Sequence, residues 1–320
     1  VVDTAPWPCP RQGTEPCSEM INAFTIDVED YHNILARDWL DRDGPPTGAV
    51  VHNTHRLLDL LAAHETRATF FLLGEVAEHH PQLIRDIAAA GHEVGVHGYY
   101  HRQLFKLTPD TFRREIRDAK ARIEDLAGAP CLGHRAPAFS IRQDTQWGLD
   151  VLADAGFRYD SSIYPIRGRR YGWAGFPKHI HEMTTPNGRR IIEAPPATVT
   201  LFGVDLPACG GGYLRHFPYA VTRAFMRRIQ RARPAIVYIH PYEIETTDRP
   251  LDTAGLSRER AARALRFNRS QLRNRHTVGA KLERLLTEFE FAPLRDVIQQ
   301  ALGDRAFLAS SKSATPETGS

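Results

Sequence analysis

Between residues 20 and 300, short apolar runs alternate with stretches whose apolar residues recur at spacings of three and four. Ile21–Val28 (INAFTIDV), Ala68–Leu73 (ATFFLL), His92–Val96 (HEVGV), Cys131–His134, Arg190–Glu193 and Ala235–Ile239 (AIVYI) predict strands. Helices are predicted over His52–His64, with Leu57, Leu58, Leu60 and Leu61, and over Pro81–Ala90, with Leu83, Ile84 and Ile87 on one face and Gly91 as the stop. Thr108 is a good N-cap with Pro109 in the first helical position. The helix it starts places Phe112, Ile116, Ala119, Ile123 and Leu126 on one side and closes at Gly128. Thr145–Ala155, Tyr219–Ala232 and Thr277–Phe289 complete the helical set. Repeated strand-then-helix units with apolar strands predict an α/β fold, a parallel sheet with helices outside it; a barrel and a doubly wound open sheet both fit.

The stretch 164–217 breaks this rhythm. It is rich in Gly, Pro and aromatics and reads as a long insertion beside the sheet, a common carrier of substrate contacts. Residues 1–19 show no periodicity and read as a loose extension, with Met20 as a candidate natural start. Residues 301–320, ending SSKSATPETGS, read as a flexible tail.

Composition narrows the function. The 320 residues carry 41 basic and 38 acidic side chains without a like-charge block, so nucleic acid is not the expected partner. The four cysteines, Cys9, Cys17, Cys131 and Cys209, form no C-x-x-C pair, which argues against a zinc ribbon or disulfide scaffold; a Cys9–Cys17 bond stays open. No apolar run approaches the roughly 18 residues needed to cross a bilayer. No basic segment leads into an apolar one at the start, so a cytoplasmic location is expected.

Candidate chemistry collects at strand ends. Asp27, Glu29 and Asp30 crowd three carboxylates into four residues, a repulsion that a cation would relieve. Asp27 and Glu29 share a face if the strand continues, and Asp30 faces away unless the chain turns. His97 and His101 follow the third strand and would share a face across one helical turn, in reach of one divalent ion. Arg135, with Pro137 stiffening the exit from its strand, and His240, followed by Pro241, Tyr242 and Glu243, occupy two further strand ends. Loops after parallel strands converge at one end of a sheet.

These four elements together resemble the polysaccharide deacetylases of the NodB-homology type, carbohydrate esterase family 4. The matching stretches are TIDVED at 25–30, His97 through His101, Arg135-Ala136-Pro137 and Ile239-His240, in the family's order over roughly residues 22–245. TIDVEDY, HRAPAFSI and YDSSIYPI look like the branch found with exopolysaccharide and exosortase loci, whose C-terminal region the KLERLLTEFEF run resembles. The resemblance implies a distorted (β/α) barrel over 20–245 and a family-specific region over 246–300. It also implies one divalent metal, zinc foremost, with cobalt, nickel or iron as alternatives.

By the same resemblance Asp27 is the catalytic base, His240 the general acid, and Arg135 the residue that orients Asp27. His97 and His101 are metal ligands, joined by a carboxylate. The family's usual pair of adjacent Asp is absent, since Val28 follows Asp27, and an Asp-x-Asp pattern maps the ligand to Glu29, with Asp30 as competitor. Tyr99, Tyr100, Pro137 and Ile239 are the expected substrate contacts, a backbone N–H near Tyr99 or Tyr100 holding the oxyanion. The family's Trp-containing motif has no clear counterpart, Glu193-Ala194-Pro195-Pro196 being the closest substitute. The implied partner is an N-acetylated glycan, with a membrane polysaccharide-synthesis machinery as a possible associate. A hydrolase of a small ureide-like amide and an inactive carbohydrate-binding protein are the competing expectations; an enclosed site would favour the first of these and an open groove a glycan.

Overall fold

The computed structural model describes residues 20–168, 171–247, 250–303 and 307. The expected extension at 1–19, the Cys9–Cys17 pairing and all but the first residues of the tail lie outside them. Strand β1 (Asn22–Val28) is buried along its whole length. It pairs in parallel with β2 (Thr69–Leu72) on one side and β10 (Ile236–Ile239) on the other. The sheet runs on in parallel through β3 (Glu93–Val96), β4 (Gly133–His134), β5 (Tyr159–Asp160) and β7 (Arg190–Glu193). Antiparallel β6 (His181–Thr184) ends it, so the stretch 164–217 supplies two strands to the sheet as well as a separate hairpin, β8 (Thr198–Leu201) with β9 (Val204–Pro207). The sheet is a curled, open relative of the (β/α) barrel. Ala197 donates to the Ile236 carbonyl and Gly210 bridges to Tyr238, so this stretch also covers the free edge of β10.

Strand alternation sorts the sheet's two faces. Phe24, Ile26 and Val28 of β1, Phe70 and Leu72 of β2, Val94 and Val96 of β3, and Val237 and Ile239 of β10 enter the outer core. That core includes Leu57 and Leu61 of α2 (Gly48–Ala63), Leu83, Ile84 and Ile87 of α4 (Pro81–Ala89), and Phe112, Ile116 and Ile123 of α5 (Pro109–Ala127). Helix α5 starts as its sequence dictates: the Thr108 hydroxyl accepts from Thr111 N, Pro109 opens the first turn, and Gly128 ends it at φ +64°.

The opposite face turns inward. Ala23, Phe71, Tyr159, Ile192 and Ile236 pack there on Leu294, Val297 and Ile298 of α11 (Leu294–Leu302). Leu294 N and Arg295 N donate to Thr69 Oγ1 and Glu93 Oε2, at the first residues of β2 and β3, so α11 seals the N-terminal end of the strands. Further along the same face come Thr25, Asp27 and Glu29 from β1 and its extension, and His97 from the residue after β3. The inward face is therefore closed by α11 at one end, where Thr69 and Glu93 cap that helix, and lined by the candidate site residues at the open one.

Candidate active site

Asp27 is the last inward residue of β1, and the Arg135 guanidinium is the floor it rests on. Arg135 is fully buried. Its Nη1 donates to Asp27 Oδ1 at 2.8 Å and to Thr25 Oγ1 at 2.7 Å, its Nη2 to Ser161 Oγ at 2.9 Å, and its Nε to the Ser161 carbonyl. The guanidinium plane lies 4.5 Å from the centre of the Phe71 ring. A buried charge so completely engaged holds one carboxylate oxygen fixed and leaves Asp27 Oδ2 facing the cavity.

Glu29, two residues on, meets both histidines. Its Oε2 lies 2.6 Å from His101 Nε2 and 3.8 Å from His97 Nε2. His97 and His101 do not share a helical turn: Gly98 at φ +86° and His101 at φ +55° fold the segment back instead. A side chain on Gly98 would press on Pro137, so Pro137 buttresses this loop rather than lining the cavity. Asp30 is elsewhere engaged. It is the N-cap of α1 (Tyr31–Leu40), its Oδ1 accepting from His32 N and Asn33 N and its Oδ2 from Thr47 N. The chain turns at Asp30, and the turn consumes its carboxylate, so the structure does not bring it to the histidines.

The Glu29–His97–His101 group fits a cation. One donor atom from each lies within 4.8 Å of the others. Glu29 Oε2 is buried and, with His101 Nε2 only 2.6 Å away, makes no hydrogen bond of ordinary geometry. His97 Nδ1 sits 2.8 Å from the Arg135 carbonyl, which can only accept, so Nδ1 carries the proton and Nε2 presents a lone pair. Two imidazole nitrogens and a carboxylate oxygen are a donor set for a borderline divalent ion such as zinc. Burial would raise the Glu29 carboxyl, but His101 and His240 outweigh it and hold it well below the usual carboxylate range.

His240, directly after β10, faces this group. Its Nε2 lies 3.9 Å from Asp27 Oδ2 and 3.8 Å from Glu29 Oε1. Its Nδ1 meets Glu243 Oε2 at 3.2 Å, and the other oxygen of Glu243 accepts from Arg215 Nε at 2.9 Å. Arg215, on α7 (Gly211–His216), also donates to the Gln271 carbonyl on α9 (Arg258–Leu272). Burial alone would lower the His240 imidazole; Glu29, Glu243 and Asp27 overcome it and raise it to about 9. These carboxylates favour the protonated ring.

Two aromatic clusters wall a cavity of about 390 Å³ over these groups. Phe139, Tyr164, Ile166 and Tyr238 pack with Tyr171 on one side. Tyr31, Leu35 and Tyr242 pack with Trp39 and Phe267 on the other. Ile239, an expected contact, points to the outer core instead, and strand alternation gives its inward place to Tyr238. Tyr99 is buried and donates to Glu78, and Tyr100 is exposed between Arg37 and Arg102; neither ring lines the cavity. Glu193 lies buried behind the site, its Oε1 accepting from Ile163 N.

Sequence reading missed Arg215, Trp39 and Phe267, and named Glu243 without giving it a role. Glu243 had a local signal, standing three residues after His240. Tyr171 and Tyr213, whose hydroxyls meet at 3.0 Å, come from the stretch flagged for substrate contacts.

A family model described as polysaccharide deacetylase matches residues 42–159, which carry His97, His101 and Arg135. That segment is a polysaccharide deacetylase domain. The remainder of the deacetylase fold here is matched, over residues 161–299, by a domain of unknown function, DUF3473, which carries Arg215, His240, Glu243 and Phe267. Similar curated proteins include the peptidoglycan-N-acetylglucosamine deacetylase of Bacillus cereus, 30% identical over 158 residues, or 46% of this chain and 54% of the relative. A chitooligosaccharide deacetylase of Rhizobium leguminosarum bv. trifolii is 35% identical over 119 residues, 36% of this chain and 51% of that one. The chain thus spans about half the length of these relatives. A putative polysaccharide deacetylase from Mycobacterium smegmatis shares the fold over 94% of both chains, with a TM-score of 0.58 and 23% identity.

Proposed function

We propose that this chain hydrolyses the acetamide of N-acetylated hexosamine units in a glycan, in the making of an exopolysaccharide. One divalent ion, zinc foremost, would sit on Glu29, His97 and His101. What carries the reading is the Glu29, His97 and His101 group, its donor atoms within 4.8 Å of one another, facing the Asp27 carboxylate and the His240 imidazole. The chemistry such an ion supplies when bound is polarisation of the amide carbonyl and a lowered pKa for water.

The chain's own residues do the rest. Asp27 Oδ2 takes the proton of the attacking water, while Arg135 on Oδ1 holds the carboxylate in place. His240 Nε2 gives its proton to the departing amine. Glu243, backed by Arg215, fixes which nitrogen of that ring faces the substrate. The aromatic walls exclude bulk water around the reacting amide.

A glycan is favoured over a small ureide because the cavity is not sealed. It shares His216 and Ser270 with a neighbouring groove of about 940 Å³, room for a chain that continues past the reacting unit. The test is acetate release from N-acetylglucosamine oligomers by the purified chain, with and without added zinc. Release that stops in Asp27→Asn supports the reading; hydrolysis of cyclic ureides without glycan deacetylation overturns it.

A further inference from the structure

Helix α9 presents two different faces to the site. Phe267 and Gln271 line the catalytic cavity, where Phe267 stacks on Trp39 with ring centres 4.5 Å apart. One step round the helix, Arg266 and Arg269, with Arg273 at its end, line the adjoining groove. The spacing of three and four places these guanidinium groups on one side. All three are exposed, and none forms an ion pair among the described residues. Nearby acids are already engaged, Asp252 with Arg42 and Asp41 with Arg260. Among the described residues no carboxylate lines the groove; Asp38 stands on the α1 wall of the catalytic cavity instead. Leu251, Leu265 and Leu272 give the groove an apolar lining.

Three unpaired arginines on one side of a concave, partly apolar surface repel one another unless something anionic lies between them. Planar guanidinium forks match a carboxylate or phosphate. The groove joins the catalytic cavity through His216 and Ser270, so a ligand in one extends into the other. We propose that this groove is an anionic subsite, holding a carboxylate or phosphate carried by the same glycan chain beyond the acetylated unit. The proposal rests on the glycan reading above and makes the substrate an acidic polysaccharide or its phosphorylated precursor. The leucines would meet the C–H faces of its sugar rings, and the Trp39–Phe267 stack would sit between the two subsites.

The test is calorimetric binding to the full chain at low salt, with three probes that separate the sources. Tetragalacturonate offers carboxylates and no acetamide, a phosphorylated mannotetraose offers phosphate, and chitotetraose is neutral. The anionic probe that matches the natural group should bind at least about three-fold more tightly than the other. In the triple variant R266A/R269A/R273A its affinity should fall about ten-fold, and fall much less for chitotetraose. The triple Lys variant, which keeps the charge, should recover most of that loss. Equal losses on charged and neutral probes would overturn the proposal, as would a hexaglutamate peptide binding as well as either acidic sugar. Because tetragalacturonate has nothing to hydrolyse, its binding stands apart from catalysis. Absence of acetate release from every N-acetylated oligomer would sink the functional reading alone, and absence of arginine-dependent binding would sink the subsite alone.

Discussion

The helix that braces β3 and the helix that overhangs the cavity are built on opposite principles. Helix α5 sinks Phe112, Ile116, Ala119 and Ile123 into the outer core, with a hydroxyl cap at one end and a glycine at the other. Helix α9, nearly as long, fully buries only Ala264 and turns arginines outward. The same contrast runs through the two family matches. Residues 42–159 hold His97, His101 and Arg135 on short loops directly after packed strands. Residues 161–299 bring His240 directly after β10, and around it aromatic walls, a hairpin and an open groove. A cation site and a fixed base demand ångström precision, which dense packing provides. Recognition of a long substrate needs reach and an exposed surface, which loops and lightly buried helices provide.

The sharpest way to break this comparison is to remove an ion ligand from the packed half. His97→Ala and His101→Ala are expected to lose stoichiometric divalent metal and about 10³-fold or more in turnover. Full metal content in both variants, read by elemental analysis, would take the site away from these histidines. Asp30→Asn is the control: Asn can still cap α1 but has no second oxygen for Thr47 N, so it should lower stability and leave the metal in place. Next comes the base. Asp27→Asn should keep the metal and the fold and lose ~10²–10⁴-fold in kcat.

Packing gives the third contrast. Ile116→Ala in α5 should cost about 2–5 kcal/mol in urea unfolding. Leu265→Ala in α9, at an exposed position, should stay within about 0.5 kcal/mol. Similar losses at both sites would mean that α9 is as integral to the core as α5.

The smallest expected effect is a trend with pH. Burial, with Asp160 beside it, pushes the Glu193 carboxyl well above its ordinary value. A folded state that binds the proton more tightly than the unfolded chain is favoured at low pH. That contribution is complete below the ordinary glutamate value near 4.5 and fades as pH rises toward the raised one. Glu193→Gln can keep the acceptor for Ile163 N and offer an N–H to Asp160. It should match the wild type near pH 4 and gain on it steadily toward pH 8. A stability difference independent of pH would show that Glu193 is ionised in the fold.

Much of this architecture was written in local patterns. The apolar runs of β1, β2, β3 and β10 and the caps of α5 announce themselves, because buried parallel strands and capped helices leave short-range signals. The strand-end positions of Asp27, Glu29, His97, Arg135 and His240 did the same for the site. What escaped is non-local. Arg215 reaches Glu243 across 28 positions. The wall residues Trp39 and Phe267 meet only because α1 and α9 pack together. Helix α9 gives little apolar periodicity because it buries so little, and β5 is only two residues long. Which of Ile239 and Tyr238 faces the substrate depended on the phase of one strand, and the structure sets that phase through its pairing with β1.

The central claim is that the second half delivers the proton donor to a cation site built by the first, and His240→Ala tests it most directly. The variant should bind one equivalent of zinc as the wild type does. Its turnover should fall ~10²–10⁴-fold on an N-acetylglucosamine oligomer and clearly less on an acetate ester, whose leaving group departs without a proton from the protein. Loss of zinc with the histidine, or equal losses on amide and ester, would contradict the account and leave His240 a ligand or a structural residue beside Pro241.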